Sequence, residues 1–377
     1  MPTPLKVLAV VPDGNVMDRL RIYSQWNVDL EWHLITVRPD AALEPTDWVE
    51  RVHHLQIEDR SLLDSVPEAF PDLEHCQYER ACHAIRDPFV VKWPLYDHEA
   101  IENGILRLRN KLMAMGPADL IVTWGERCWY NEVAIAFAQE VGVPVCRLER
   151  ATFPGTIVAD GTGLEQGRTD LPSCHRVSEM EAFPYEQLET WLSIAVWQSV
   201  EQQQRTTRGM VEVYTDNRPT VFVPLQVPFD TNIVFRSEGF GNFELLEYVA
   251  AKYKDCRVLV KVHPGDAYSN SQHVAAYCAD KGWELLPYSS QALIAASDLV
   301  VSINSQCIIE AWMHAVDVDI IGKPAFDLPE EPDKQALLYT LRFAYYIEPW
   351  QLTTRLSQIR ESYVDTESLG RGTDFVG

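Results

Sequence analysis

The stretch RVLVKVHPGD, residues 257–266, decides the reading of this chain. Val258 to Val262 form a continuous apolar run of strand length, and the run stops at His263-Pro264-Gly265-Asp266. Pro264 has no N–H to give a sheet ladder, and Gly265 permits a turn. The strand therefore ends there and presents His263 at its C-terminal edge. In an open α/β sheet that edge is where ligands bind. A His-Pro pair is also an ordinary turn, so the surrounding segments have to decide its meaning.

Working outward, the pattern repeats on both sides. TVFVPLQV (220–227) reads as a strand, 242–255 as a helix, and 257–262 as the quoted strand. SQHVAAYCADKG is a helix, WELLPY a short strand, SQALIAAS a helix, DLVVSINS a strand, QCIIEAWMHAV a helix and VDIIGK a strand. The first half alternates in the same way. KVLAVVPD and EWHLITVRP (31–39) are strands, 102–115 is a helix, and ADLIVTWG (118–125) is a strand ending in glycine. WYNEVAIAFAQEVG is a helix closing at Gly142, and VPVCRLER is the next strand. Strands alternating with helices imply parallel, doubly wound sheets. Residues 152–185, rich in Gly, Thr, Pro and Asp, read as long loops, and 183–208 as a long helix. TDNRP (215–219) is the breaker that marks the domain joint.

The expected fold class is therefore α/β, with two Rossmann-like domains facing across a cleft in the GT-B manner. The boundaries are 1–215 for the N-terminal domain and 216–345 for the C-terminal domain. Residues 346–377 form a helical tail, loose and polar after Glu361, that packs back on the first domain. VPDGNV, in the first βα turn, lacks the G-x-G-x-x-G fingerprint that a nicotinamide enzyme would carry there.

The chain has 377 residues, 46% of them hydrophobic and 10% aromatic, enough for two proper cores. Its 55 acidic residues outnumber 32 basic ones, for a net charge of −23. That argues against nucleic acid as a partner and against broad adhesion to anionic lipid. A small anionic ligand in a locally basic pocket stays compatible with it. The eight cysteines are scattered, with no CxxC, and several lie inside apolar runs. They read as reduced thiols of a cytosolic protein. MPTPLKVLAVVPDG is a first strand and not a signal peptide, and no run of about eighteen apolar residues would span a membrane.

Four polar clusters fall at predicted strand ends. PLQVPFDTN (224–232) delivers Gln226 and then Asp230 into a loop, where Asp230 is also what an N-cap requires. The second is His263. In VVSINSQCIIEA (300–311) a buried strand runs into Ser302, Asn304 and Ser305 before a helix begins. Hydroxyls and free N–H groups at a helix start suit an anion, although Ser305 would serve equally as an ordinary cap. Glu310 follows one turn later, placed either to reach sugar hydroxyls or on a solvated face. CRLERATFPG (146–155) carries Arg147, Glu149 and Arg150, which would also make a surface ion pair. The recurrence of such residues at corresponding edges of two sheets favours an interdomain cleft. A phosphate would use His263 and the serines, and sugar chemistry would use the carboxylates Asp230 and Glu149.

LER…FPG, PLQVPFDTN, VKVHPGD, and SINSQCIIEA followed by IIGKPAFD together resemble the bacterial β-Kdo transferases of capsule polysaccharide and O-antigen lipopolysaccharide synthesis. These are retaining, GT-B enzymes that use CMP-β-Kdo. The matching pieces run from about Ile121 to Asp327, and their order carries the likeness. The His-Pro turn is similar to that of CMP-sialic acid transferases. The resemblance implies Asp230 as nucleophile, and His263, in the His263-Pro264 turn, as phosphate contact or proton-transfer group. It implies Glu149 as acid/base beside the acceptor, Ser302 and Ser305 on phosphate, and Glu310 on ribose. Ala151 departs from the glycine that relatives carry there. Lys261, Arg147, Arg150 and Arg236 are candidates to balance the donor's charge, with Gln226 and Asn304 in the same binding group. No metal and no cofactor is expected, because one phosphate leaves and no metal constellation is visible.

The implied partners are the CMP-sugar donor and an oligosaccharide or glycolipid acceptor. Peripheral association with the inner membrane or with other glycan-assembly proteins, from the cytoplasmic side, fits that role. Two other readings stay open: an inverting CMP-sialate or nonulosonate transferase, and a non-enzymatic protein that binds an acidic glycan or nucleotide.

Overall fold

The structure is a computed structural model. It describes residues 3–11, 14–36, 51–54, 98–125, 129–153, 155–161, 186–193, 218–228, 233, 237–265, 271–323 and 334–370. The chain divides into two units. One comprises Met1–Ala151, Gly155–Asp170 and Tyr346–Gly377, and the other Thr152–Pro154 and Leu171–Tyr345.

The first unit contains β1 (Leu5–Val11), α1 (Gly14–Ser24), β2 (Leu30–Thr36), β3 (Arg51–His54) and α2 (His98–Ala114). It continues with β4 (Leu120–Trp124), α3 (Trp129–Val141), β5 (Val145–Arg150) and β6 (Ile157–Asp160). The sheet order is β3-β2-β1-β4-β5-β6, parallel except for antiparallel β6. Both faces of β1 are covered, which is why its sequence is a continuous apolar run. Val7, Ala9 and Val11 join Leu20 and Tyr23 of α1, while Leu8 and Val10 join Leu108 and Leu112 of α2 and Val133 and Phe137 of α3. Residues 157–160, expected to be loop, instead pair with β5, Arg147 lying opposite Asp160 and Glu149 opposite Val158. The four residues IVAD are all buried. The segment is too short to show a period against its Gly- and Thr-rich flanks.

The second unit contains β7 (Thr220–Pro224), α4 (Asn242–Lys252), β8 (Arg257–Lys261), α5 (Ser271–Lys281) and β9 (Glu284–Leu285). After these come α6 (Ser290–Ala295), β10 (Leu299–Ser302), α7 (Cys307–Met313), β11 (Asp317–Ile320) and α8 (Lys334–Thr340). Its sheet is all parallel in the order β11-β10-β7-β8-β9. Val221, Val223, Val258, Val260 and Val301 pack on Leu245, Leu246 and Val249 of α4. Phe222, Leu259 and Val300 face Leu293 and Ile294 of α6 on the other side. The expected α/β class, with two Rossmann-like sheets, is what the chain forms. In each sheet the strand order reverses beside the first strand, between β1 and β4 and between β7 and β10. That reversal point is where doubly wound sheets open a crevice at their C-terminal edge.

Past a π-helical turn at Leu341–Tyr345, the chain ends in α9 (Leu352–Gly370). Leu352, Leu356 and Ile359 are buried in the core that holds β1 and α1. Asn27 secures the junction. Its amide donates to the carbonyls of Tyr23 (2.6 Å) and Pro349 (2.9 Å), and its Oδ1 accepts from Thr353 N (2.9 Å) and Thr353 Oγ1 (2.8 Å). Helix α9 runs on to Gly370, so residues 362–370, expected to be loose, are helical, and residues 371–377 lie outside the described residues.

On the second unit, Asp319 of β11 accepts from Tyr253 OH (2.7 Å), Lys252 Nζ (2.9 Å) and Tyr248 OH (2.9 Å), tying α4 to the edge strand. Burial alone would raise the Asp319 pKa, but these three donors outweigh it and hold the carboxyl below its usual range.

Candidate functional site

The second sheet brings its polar strand ends together at the reversal point. Gln226, two residues beyond β7, donates from Nε2 to Asn304 Oδ1 at 2.9 Å, and its Oε1 accepts from Asn304 N at 3.4 Å. Both residues are buried, so this pair links the end of β7 to the end of β10. Asn242, the first residue of α4, brackets the Gln226 backbone. It accepts from Gln226 N at 3.1 Å and donates to Gln226 O at 2.8 Å. Gln226 and Asn304, expected as substrate contacts, thus spend their amides on the framework, holding the PLQ loop in place.

Ser302 is fully buried, and its Oγ accepts from Ser305 N at 3.2 Å; Ser305 Oγ accepts from Cys307 N at 3.1 Å. Both serines therefore accept bonds within the turn into α7, and the Ser305 hydroxyl is also engaged with the Cys307 sulfur. Beyond them, Glu310 has a buried Oε2 with no hydrogen-bond partner among the described residues. Burial pushes its pKa up to about 7, a bond from the Cys307 thiol opposing in part. Burial in turn pushes the Cys307 thiol up to about 12, with the Glu310 charge adding to it, while bonds with Ser305 and Ser290 pull it down.

Lys261 ends β8 and is half-buried. Its Nζ donates to Tyr288 O at 2.5 Å, and among the described residues it has no carboxylate partner. Burial lowers its pKa, and the neighbouring Cys307 acts against that. His263 and Pro264 are exposed in the turn that follows. Gly265 N donates to His263 Nδ1 at 3.0 Å. A neutral imidazole that accepts at Nδ1 carries its proton on Nε2, so the ring presents an Nε2–H donor outward. Gly265 is needed for this seat, since a Cβ there would stand 3.2 Å from Nδ1 and 3.3 Å from Cε1.

Glu149 and Arg150 belong to the first unit, at the end of β5. Glu149 Oε1 accepts from Arg150 N at 3.0 Å, and Arg150 is exposed. Arg147 is buried and donates from Nη1 to Gly161 O at 3.2 Å, which ties β5 to the end of β6. As a charge-balancing group for a ligand it is therefore displaced by a structural role. Asp230 and Arg236 lie outside the described residues.

Sequence reasoning passed over Asn242, Tyr288, Ser290 and Cys307. Asn242 carried a signal, a polar residue right after Gly241 at a helix start, but its partner Gln226 is visible only in the fold. Among the described residues no three His, Cys, Asp or Glu side chains gather as metal ligands, and no helix is long and apolar enough to cross a membrane. Cys146, Cys256, Cys278 and Cys307 form no disulfide among the described residues.

The class defined so far is a pair of Rossmann-like α/β units, one of them with an anion-ready strand edge. Comparison with known proteins finds a family model that matches part of the chain. The capsule polysaccharide biosynthesis protein family matches residues 168–337, a span that takes in the whole second sheet and its polar edge. No curated protein matches the chain. Among solved structures, the β-Kdo 2,7-transferase of Thermosulfurimonas dismutans KpsC is similar at 18% identity and a TM-score of 0.45. That likeness covers 67% of this chain and 89% of that one. The β-Kdo 2,4-transferase of the same protein is similar at 15% identity and 0.45, covering 64% and 87%. The UDP-GlcNAc 2-epimerase of Neisseria meningitidis, bound to UDP-GlcNAc, is similar at 12% identity and 0.37, covering 96% and 100%. At TM-scores this low the structural likenesses carry no argument of their own.

Proposed function

We propose that this chain is a retaining glycosyltransferase. It moves Kdo from CMP-β-Kdo onto a capsule or related surface glycan, free or lipid-linked, at the cytoplasmic face of the inner membrane. The observation that carries the reading is the edge of the second sheet, inside the segment matched by the capsule family. There a histidine able to donate from Nε2 and a half-buried lysine with no carboxylate partner among the described residues stand at the end of β8, and a carboxyl with a buried oxygen stands in the helix after β10. The donor's phosphate fits the histidine, the lysine and the serine-rich turn, and ribose hydroxyls fit Glu310.

The chemistry proceeds in two displacements. The Asp230 carboxylate attacks the anomeric carbon on the face opposite CMP. The bond to the phosphate oxygen breaks, and its electron pair leaves with CMP, to which the His263 Nε2–H donates a hydrogen bond. The acceptor hydroxyl then attacks the same carbon while Glu149 takes its proton, and the Asp230 ester bond breaks. Two inversions return the β configuration. The anomeric carbon of Kdo has no neighbouring hydroxyl, so positive charge develops there readily once CMP departs.

The test is incubation with CMP-β-Kdo and a panel of glycan acceptors, following CMP release and product mass, with peptide mass spectrometry for a sugar adduct on Asp230. Asp230→Asn is expected to abolish transfer and to leave CMP binding intact, because only the charge is removed. Near-normal turnover in Asp230→Asn would sink the assignment. Inverted product without an adduct points to an inverting transferase, and CMP binding without release to a binding protein.

A further inference from the structure

The ends of β4 and β5 in the first sheet hold a polar cluster around Glu149, of which the reaction above uses the carboxylate alone. Strand β4 ends at Trp124, and Gly125 follows with φ +77°, a left-handed conformation that favours glycine. The turn is clamped on every side. Gly125 N donates to Leu148 O of β5 at 2.9 Å. The buried Thr123 donates from Oγ1 to Gly125 O at 2.9 Å, and the buried Asn131 donates from Nδ2 to Trp124 O at 2.7 Å. Asn131 stands in the first turn of α3.

A Cβ at Gly125 would lie 3.6 Å from Glu149 Oε2 and 3.8 Å from Asn131 Nδ2. The carboxylate and the amide thus lie against one point of the turn. The other end of the amide is costly. Asn131 is 0% exposed, and its Oδ1 has no hydrogen-bond partner among the described residues. Such an orphan acceptor is an expense that an apolar side chain would avoid.

We propose that Asn131 is a positioning residue: with Gly125 it forms the rigid seat that sets the place and the ionisation of the Glu149 carboxylate. This rests on the role given to Glu149 above, as acceptor of the acceptor hydroxyl's proton. The charged and titratable groups around that seat come from several elements. Helix α1 supplies Arg19, whose guanidinium lies 5.8 Å from the Trp124 ring centroid, and Tyr23, bonded to Arg19 and within the fields of Glu149 and Arg150. Arg150 of β5 offers its N–H to the other carboxylate oxygen. Glu132 follows Asn131 on α3 and is buried. Val158 of β6, opposite Glu149, is uncharged, and Arg355 of α9 donates to the adjacent Ala159 O.

The test follows the Glu149 side chain directly, so that it does not depend on finding the acceptor. Protein labelled with carbon-13 at the glutamate carboxyl is titrated by NMR, and Glu149→Gln identifies the resonance. Asn131→Asp sets a second carboxylate beside the first and is expected to raise the Glu149 titration by about one unit. Asn131→Leu removes the amide and is expected to raise it as well, with a lower melting temperature because the Trp124 carbonyl loses its donor. With a competent acceptor, the same leucine variant should lower kcat roughly tenfold with KM and CMP affinity unchanged. In a Glu149→Gln background it should cost nothing further. A Glu149 titration identical to wild type in both Asn131 variants would overturn the proposal while Glu149→Gln remained impaired. Full turnover in Glu149→Gln would remove the role of Glu149 itself, and this inference with it.

Discussion

Gly265→Ala isolates the seat of His263. The new Cβ would meet Nδ1 at 3.2 Å and Cε1 at 3.3 Å, with Val227 Cγ2 at 3.9 Å. Relaxed contacts to carbon need about 3.5–4.0 Å, so something must retreat by a few tenths of an ångström. The ring is exposed and therefore yields, and the 3.0 Å bond from residue 265 N to Nδ1 is lost with it. The fold loses little. Replacing a flexible glycine by alanine returns up to about 1 kcal/mol through the unfolded state, which offsets the broken exposed bond. Ligand binding loses more. A hydrogen bond to a charged phosphate contributes about 1.5–3 kcal/mol, and misaiming it forfeits the lower part of that range. At 1.4 kcal/mol per decade, CMP affinity should fall roughly tenfold. Calorimetric titration with CMP measures it, beside a thermal melt that should move by no more than a few degrees. His263→Ala should lose at least as much, and adding Gly265→Ala to it should change nothing further. Unchanged CMP affinity in Gly265→Ala, or an equal further loss in the His263→Ala background, would refute the reasoning.

Two stability predictions follow from buried polar groups. Glu310 has its pKa pushed up to about 7 in the folded state by burial, against about 4.3 when unfolded. Its contribution is complete below the unfolded value and is lost as pH rises through 7, by no more than about 4 kcal/mol. Thermal melts of Glu310→Gln should therefore show a flatter profile between about pH 4.5 and 7.5 and a gain over wild type at pH 8; parallel profiles would contradict this. Asn27→Ala removes the bonds to Tyr23, Pro349 and Thr353 and should cost about 3 kcal/mol. Limited proteolysis should then cut within α9 sooner than in wild type, and an unaltered cleavage rate would show that the lock is not what holds the helix.

Much of the architecture was legible because parallel strands covered on both faces must be continuous apolar runs. KVLAVV, LIVTW, TVFVP and RVLVK announced themselves in that way. IVAD at 157–160 did not, since its pairing with β5 supplies the order that its length cannot. The polar ends were legible as types, and their jobs were not. Ser302 and Ser305 were candidates for phosphate, and the fold shows them capping a turn as well. Arg147 looked like its neighbour Arg150, yet β6 buries one while the other stays exposed.

By itself the chain determined the α/β class, the two sheets and the histidine turn, because hydrophobic period and the backbone limits of proline and glycine act over a few residues. Only the tertiary structure decided that Gln226 meets Asn304 across 78 positions and that Asn27 grips Thr353 across 326. It also decided that Gly125 leaves room for Glu149 and Asn131 at one point. A hydrogen bond is made at about 3 Å. The partners that reach that distance are chosen by strand order and packing, which no local window of residues records.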